Sequence, residues 1–264
     1  MRLNRTYASS QIHDRWEAMY RSNPLLDALN DVVMDRILRY TKPPVGAKVL
    51  DAGCGIGDHT ARFARAGYNC LGIDISPAIL EKANDKIRSL GLSSRVRFAC
   101  QALEDLSLNG ELFDVVHCRG VLMHIPDWKA ALKHLCNALR PGGHIVVLEN
   151  NARAPYSRAY LLMRSLYRHS VASRLVETEG GSELWTTEDG ISFVARMANI
   201  DALNSALTQF GVVPLHRFAT SLVGMELFPA GRLRNTAIRV NKAACVLHVP
   251  ATICKGNAVI GRKR

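Results

Sequence analysis

Five short apolar runs recur through the first part of the chain. They enter through Val49 and Leu50, then through Asn69–Asp74, Val96–Cys100, 113–118 and 144–149. Each is bounded by turn residues, as in strands buried on both faces. Between them, 60–66, 77–90 and 127–139 have helical spacing. Ser76 can cap the second of these, with Pro77 in its first turn and Gly91 at its end. Strand alternating with helix predicts an α/β fold with a parallel sheet covered on both sides. Ahead of the first strand, 7–40 is mostly helical in spacing, with Trp16, Met19, Tyr20, Leu25, Leu26, Leu29, Val33 and Ile37 on its apolar side. These read as core, or Tyr7, Trp16 and Tyr20 as a lid. Thr41 to Gly46, with Pro43 and Pro44, breaks the helix.

Beyond residue 150 the periodicity predicts a helix over 155–176, a turn-rich stretch over 177–190 around Trp185, and a helix over 200–210 ended by Gly211. Strands follow at 212–219 and 255–263, with a helix near Arg232–Val246 between them. No internal repeat or low-complexity tract is present.

The first apolar run leads into Asp51-Ala52-Gly53-Cys54-Gly55-Ile56-Gly57, and Asp58 then stands at a helix start. Alternate glycines permit a tight turn and close approach of the backbone to a ligand. Strand, glycine turn and helix together form a ligand-binding arrangement. A nicotinamide-dinucleotide fingerprint would need a third glycine where Asp58 stands. Asp74, ending the second run, can accept two hydrogen bonds from ribose hydroxyls, or cap the helix that follows.

At 264 residues, 48% hydrophobic and 22% charged, the chain has the composition of a globular protein, as one domain or one with a small appendage. Residues 1–16 are polar without an apolar h-region, so no secretory signal is expected, and no apolar run is long enough to span a membrane. Seven cysteines without a CxxC pair read as free thiols in a reducing cytoplasm. The net charge of +11 is uneven: residues 1–150 hold 19 Lys/Arg against 16 Asp/Glu, and residues 151–264 hold 15 against 7. That is either a solvated basic face or a surface for an anionic partner. No RNA-binding module is recognisable and no metal site is expected.

Four stretches in order, VLDAGCGIG, LGIDIS, FDVVHCRGVLMHI and LRPGGHIVVLE, carry a family resemblance. Residues 48–150 resemble the class I S-adenosylmethionine-dependent methyltransferases of the small-molecule branch, nearest to ubiquinone-pathway and sugar O-methyltransferases. The resemblance implies a Rossmann-like doubly wound sheet of about seven strands, mostly parallel, with strand seven antiparallel to strand six. It also implies one domain over 1–264: a helical lid (1–45), a cofactor core (46–150), a substrate cap (151–210), and the end of the sheet with a helical insertion (211–264). The implied cofactor, S-adenosyl-L-methionine, would be wrapped by Gly53, Cys54, Gly55 and Gly57. Asp51 would hold that loop and meet the amino group, and Asp74 would take the ribose with Ile75 against the adenine. Carbonyls near Cys118 and Arg119 would face the methionine end, and Tyr20, from the lid, would contact the cofactor. Many relatives carry an Asp after strand three; Ala102 stands there, leaving Gln101 or the Leu103 backbone for the adenine.

Methyl transfer needs a nucleophile aligned with the sulfonium methyl, water excluded, and for a hydroxyl acceptor a general base. His124, after strand four, is the first candidate base or else orders its loop; Glu149, ending strand five, is the second. His59 reads as facing outward, and His216 is unassigned. Arg153, Arg158, Arg164, Arg168 and Arg174 occur in a stretch without an acid, among Tyr and Leu. In a cap they would favour an acceptor that is anionic or on an anionic carrier, with Arg158, Tyr160 and Arg164 in contact. A membrane-surface helix is the competing reading. The expectation is therefore methyl transfer to a small-molecule or glycan acceptor at oxygen. The rivals are a nucleic-acid methyltransferase and a non-catalytic cofactor-binding protein. An Asn/Asp-Pro-Pro-aromatic motif, common in base methylators, is replaced by His124-Ile125-Pro126-Asp127, so no nucleic-acid partner is expected; oligomeric state is left open.

Overall fold

The computed structural model describes residues 23–166, 173–188, 191–225, 228 and 230–264. The expected lid residues Tyr7, Trp16 and Tyr20, and Arg168 of the basic stretch, lie outside them. Helix α1 (Pro24–Thr41) starts where the Asn23 side chain accepts from the amides of Leu25 and Leu26, both at 3.0 Å, with Pro24 in the first turn. It stops at Lys42, whose left-handed backbone precedes Pro43 and Pro44.

The chain then alternates as its apolar pattern predicts: β1 (Lys48–Ala52), α2 (Asp58–Arg65), β2 (Asn69–Asp74), α3 (Pro77–Ser89), β3 (Val96–Cys100), β4 (Phe113–Arg119), α4 (Trp128–Asn137) and β5 (Leu139–Asn150). Helix α5 (Pro155–Leu166) follows, then strands β6 (Ser173–Thr178), β7 (Gly181–Glu188) and β8 (Ile191–Ala198). Helix α6 (Ile200–Gln209), β9 (Val212–Ser221), α7 (Arg232–Val246) and β10 (Gly256–Lys263) complete it.

Seven strands form one sheet in the order β3-β2-β1-β4-β5-β10-β9. The first five run parallel, and β10 lies antiparallel between β5 and β9. This is the doubly wound, mostly parallel sheet that the sequence implies. Successive side chains on each strand take opposite faces. Leu50, Ile73, Val116, Ile145 and Val147 meet Leu132 and Leu135 of α4 and Leu203 and Leu207 of α6. Val49, Cys70, Val115, Val146 and Leu148 meet Leu29, Val33 and Ile37 of α1, Phe63 of α2 and Ile238 of α7. Each such aliphatic side chain contributes about 1.5–3 kcal/mol by leaving water. The chain winds outward from β1 to β3 and then crosses to β4, so a crevice opens at the C-terminal ends of β1 and β4.

Residues 173–198 correct the sequence reading. The helix expected over 155–176 ends at Leu166 as described, and from Ser173 the chain is a three-stranded antiparallel sheet in the order β6-β7-β8. Val176, Thr178, Trp185, Thr186 and Val194, residues that favour a pleated surface, pair across it about a tight turn before Gly181. All seven cysteines are free thiols, and only Cys100 is exposed. Among the described residues no helix is long and apolar enough to cross a membrane, and no three metal-ligating side chains converge.

Candidate functional site

The crevice widens into a cleft of about 580 Å³. Its floor is the glycine turn after β1, its walls the ends of β2, β4 and β5, and its rim α1, α5, β8 and the start of β10. The turn is fixed by two bonds to β2: the amides of Gly53 and Cys54 both donate to the Ile73 carbonyl, at 2.7 and 2.9 Å. Gly53 and Gly55 have φ of +71° and +53°, where a side chain is strained. A Cβ on Gly53 would lie 2.1 Å from Val121 Cγ2, whereas one on Gly55 would meet nothing within 4 Å and project into open space.

Asp74 is buried at the end of β2. Its Oδ2 accepts from the Gly55 amide at 2.9 Å and its Oδ1 from the Ser76 amide at 3.1 Å. One carboxylate thereby ties the glycine turn to the start of α3. Each oxygen keeps a further lone pair, on the wall of the cleft. Gln101, Ala102 and Leu103 continue that wall, and the Gln101 side chain accepts from the Ser107 amide at 3.0 Å.

Below the turn lies a polar cluster that sequence reasoning did not assemble. Asp51 Oδ2 accepts from the Thr60 hydroxyl at 2.5 Å and Oδ1 from His117 Nδ1 at 2.8 Å. Asp51 on β1 and His117 on β4 are paired in register, which brings the two together. The His59 ring stacks on His117 with centroids 4.9 Å apart. His59 Nε2 accepts from Arg119 Nη1, which also donates to Asn30 Oδ1 at 2.9 Å. Burial, helped by the neighbouring Arg119 and His117, drives the His59 pKa well below the usual range and keeps the ring neutral. His59 does not face outward as its place in α2 had implied, because α2 is covered along most of its length and buries His59, Thr60, Ala61, Phe63 and Ala64. Asn30, His59, His117 and Arg119 all line the cleft.

His124 sits in a single turn of 3₁₀ helix, Leu122–His124, and its Nδ1 donates to the Val194 carbonyl of β8 at 2.8 Å. The neutral ring therefore carries its lone pair on Nε2. Burial pulls its pKa to about 4, opposed by the Val194 carbonyl and aided by Arg196. Arg196, two residues on in β8, is buried and forms an ion pair with Glu183 of β7 at 2.7 Å. Its other donors reach the carbonyls of Leu122, Ile125 and Pro126 at 2.9, 3.0 and 3.1 Å. Strand β8 thus grips both sides of the turn that bears His124.

Glu149, at the end of β5, is 5% exposed, and neither carboxyl oxygen has a hydrogen-bond partner of good geometry among the described residues. Burial pushes its pKa up to about 8; the Met123, Leu122 and Asn150 amides and the Arg196 charge offset this only in part.

Of the expected site residues, Asp51, Gly53, Cys54, Gly55, Asp74, Ile75, Gln101, Leu103, Arg119, His124, Glu149 and Tyr160 line this one cleft. Gly57, Cys118, Arg158 and Arg164 are not on its wall. Gly57 lies at the start of α2, facing Phe98 and Ala83. Cys118 points into the core on the α4 side of the sheet. Arg158 is exposed on α5, about 200° round the helix from Tyr160. Arg164 is half-buried a turn beyond Tyr160. Arg153 pairs with Asp201, and Arg174 is exposed on β6. The described arginines of the basic stretch, Arg153, Arg158, Arg164 and Arg174, are therefore dispersed rather than gathered over the cleft.

Residues 49–143 match a family described as a methyltransferase domain. The ubiquinone biosynthesis O-methyltransferase of Xanthomonas campestris pv. campestris (strain B100) is 34% identical over 153 residues, 58% of this chain and 62% of that protein. The methyltransferase GfsG of Streptomyces halstedii is 30% identical over 135 residues, 51% of this chain and 48% of that one. The chain thus spans about three-fifths or less of these relatives' length. In fold it is similar to magnesium protoporphyrin IX methyltransferase (ChlM) from Synechocystis PCC 6803 with bound SAH, at a TM-score of 0.63, 17% identity, 99% of this chain and 98% of that chain. It is also similar to the [4+2]-cyclase SpnF, at a TM-score of 0.57, 22% identity, 88% of this chain and 80% of that chain.

Proposed function

We propose that this chain, a member of the class I S-adenosylmethionine-dependent methyltransferases through its residues 49–143, transfers a methyl group to a hydroxyl oxygen of a small molecule. The observation that carries the reading is the glycine turn. Its backbone is held by Asp74, and the space above Gly55 is open where a side chain would fill it. That cradle fits the cofactor: Gly53 to Gly55 would receive the methionine part, Asp74 the ribose hydroxyls, and Ile75 with Leu103 the adenine. Asp51, fixed by Thr60 and His117, would accept from the amino group, and Arg119 would pair with the carboxylate. S-adenosylmethionine, when bound, supplies an electrophilic methyl on sulfur.

The protein's own work is to place the acceptor and remove its proton. Glu149 is the base in this reading. A carboxyl with a pKa near 8 matches a hydroxyl acceptor better than an imidazole with a pKa near 4. His124 then positions the acceptor through Nε2, its ring locked by Val194. The half-buried Tyr160 and Leu161, with Met197, close the apolar side of the cleft and exclude water. Arg158 and Arg164 stand off the cleft wall, so this reading does not rest on an anionic acceptor. The division into lid, cofactor core, cap and sheet end belongs to the same reading, with β6–β8 forming part of the cap. A second reading, a reaction other than methyl transfer in the same fold, is favoured by the likeness to the cyclase.

Methyl-labelled S-adenosylmethionine, incubated with a panel of phenols, hydroxy acids and sugars, tests the proposal. Label recovered on oxygen supports it. Label on nitrogen or carbon, or cofactor binding without turnover on any acceptor, overturns it.

A further inference from the structure

Helix α7 buries Ala237, Ile238, Ala244 and Cys245, and Arg36 of α1 donates to the Cys245 carbonyl at 3.1 Å. The opposite face is open. Leu233, Val240 and Leu247 are seven residues apart and form one row along the helix, 67%, 40% and 75% exposed. Val246, the last residue of α7, is also exposed. Arg232 and Arg239, both exposed, stand one residue ahead of Leu233 and Val240 and form a parallel cationic row, with Lys242 beside it. No Asp or Glu occurs anywhere in residues 227–264.

We propose that this face of α7 docks the protein on a bilayer surface rich in anionic phospholipid. A second copy of the same face would set arginine against arginine, so the face does not complement itself. What complements it is a surface negative at its head groups and apolar just beneath. The arginines reach the phosphates while the leucine row enters the acyl boundary.

The docked helix would hold the rim of the cleft. Asn241, wholly buried on the inner face of α7, accepts from the amides of Leu222 and Val223 at 2.9 and 3.0 Å. It also donates to the Val223 carbonyl at 3.1 Å. Val223, Gly224 and Met225 line the cleft. An acceptor dissolved in the bilayer would meet the rim without crossing bulk water. The docking itself stands apart from which acceptor is methylated.

Sedimentation of the full chain with phosphatidylcholine vesicles containing about a third phosphatidylglycerol, against phosphatidylcholine alone, tests it. The wild type is expected to bind the anionic vesicles at low salt and to release as salt rises. Arg232→Gln/Arg239→Gln and Leu233→Ser/Leu247→Ser should each bind at least about tenfold more weakly. All four positions are exposed, so S-adenosylmethionine affinity and melting temperature should be unchanged and certify the fold. Wild-type protein that stays in the supernatant overturns the proposal. So do variants that bind like the wild type, which would place the contact elsewhere, and a dimer that the serine variants dissolve, which would make the face a protein interface.

Discussion

His117 Nδ1 donates to Asp51 Oδ1 at 2.8 Å between two strands of the sheet, with the two side chains only 1% and 3% exposed. The pair links β4 to β1 directly under the glycine turn. Thr60 holds the other oxygen, so the carboxylate is fixed from both sides.

Removing the imidazole leaves a buried oxygen short of a donor. His117→Ala is expected to lower stability by about 1–3 kcal/mol and to weaken S-adenosylmethionine binding, because Asp51 is free to turn. His117→Asn places an amide donor close to the position of Nδ1 and should restore much of both. Chemical denaturation and calorimetric titration measure the two effects separately.

Asp74 serves two amides and the cleft with one carboxylate. Asp74→Ala strips the Gly55 and Ser76 amides of their acceptor and should cost about 1.5–3 kcal/mol of cofactor affinity, roughly 10- to 150-fold. Gly55→Val should abolish binding in the titration, since its side chain enters the open space of the cradle. Cofactor affinity unchanged in both variants would remove the basis of the proposed site.

Glu149 sets a pH dependence of known sign. Its folded pKa of about 8 lies above the ordinary carboxyl value of 4.5, so between these the folded state holds a proton that the unfolded state has lost. Wild-type stability should therefore be fully present below about pH 4.5 as far as this group is concerned, and fall as pH rises through 8. Glu149→Gln should abolish that decline and be the more stable protein at pH 9, by on the order of a few kcal/mol at most. Turnover should rise through pH 8 in the wild type as the base ionises, and stay low and flat in the variant. A wild-type rate profile with no step near pH 8 would assign the proton elsewhere.

Arg196 and Glu183 form a buried ion pair whose cation also holds the His124 turn. Arg196→Met leaves Glu183 uncompensated and should destabilise by about 3–5 kcal/mol. Adding Glu183→Leu should recover most of that stability. Turnover should not recover with it, because the carbonyls of Leu122, Ile125 and Pro126 still lack their donor and His124 is no longer held in place. Melting curves and kcat for the single and double variants decide the matter.

The seven-stranded sheet was readable because its strands are covered on both faces. Val49-Leu50, Val115-Val116 and Ile145 to Leu148 leave no polar alternative, and the turns between them carry glycine or proline. Strands β6 to β8 were not readable in the same way. Their core side is partly polar, with Arg196 placed between Val194 and Ala198, and the helical spacing of Tyr160 to Tyr167 ran on into them. The cross-strand pairing of Glu183 with Arg196 becomes visible only once β7 and β8 are recognised as a hairpin. His117 stood in a buried strand in register with Asp51, a signal that strand order alone could supply. The burial of His59 is not legible in the sequence, because helical spacing shows where a helix has an apolar side and does not show how many neighbours cover it. Of the glycine turn, Asp74 and Glu149, position was legible; the raised pKa of Glu149 depends on what fails to reach it.

Strand β10 lies between β5 and β9 although it follows both in the chain. During synthesis, β5 and β9 are made while the place between them is still vacant. Each has an unpaired row of amides and carbonyls until residues 256–263 leave the ribosome. The wall that carries Glu149 faces Asn257 across that gap, so it is finished late. A nascent chain stalled before β10 would offer two open edges to any neighbouring strand, and a polysome crowded with such chains is where this fold is most exposed to misassembly.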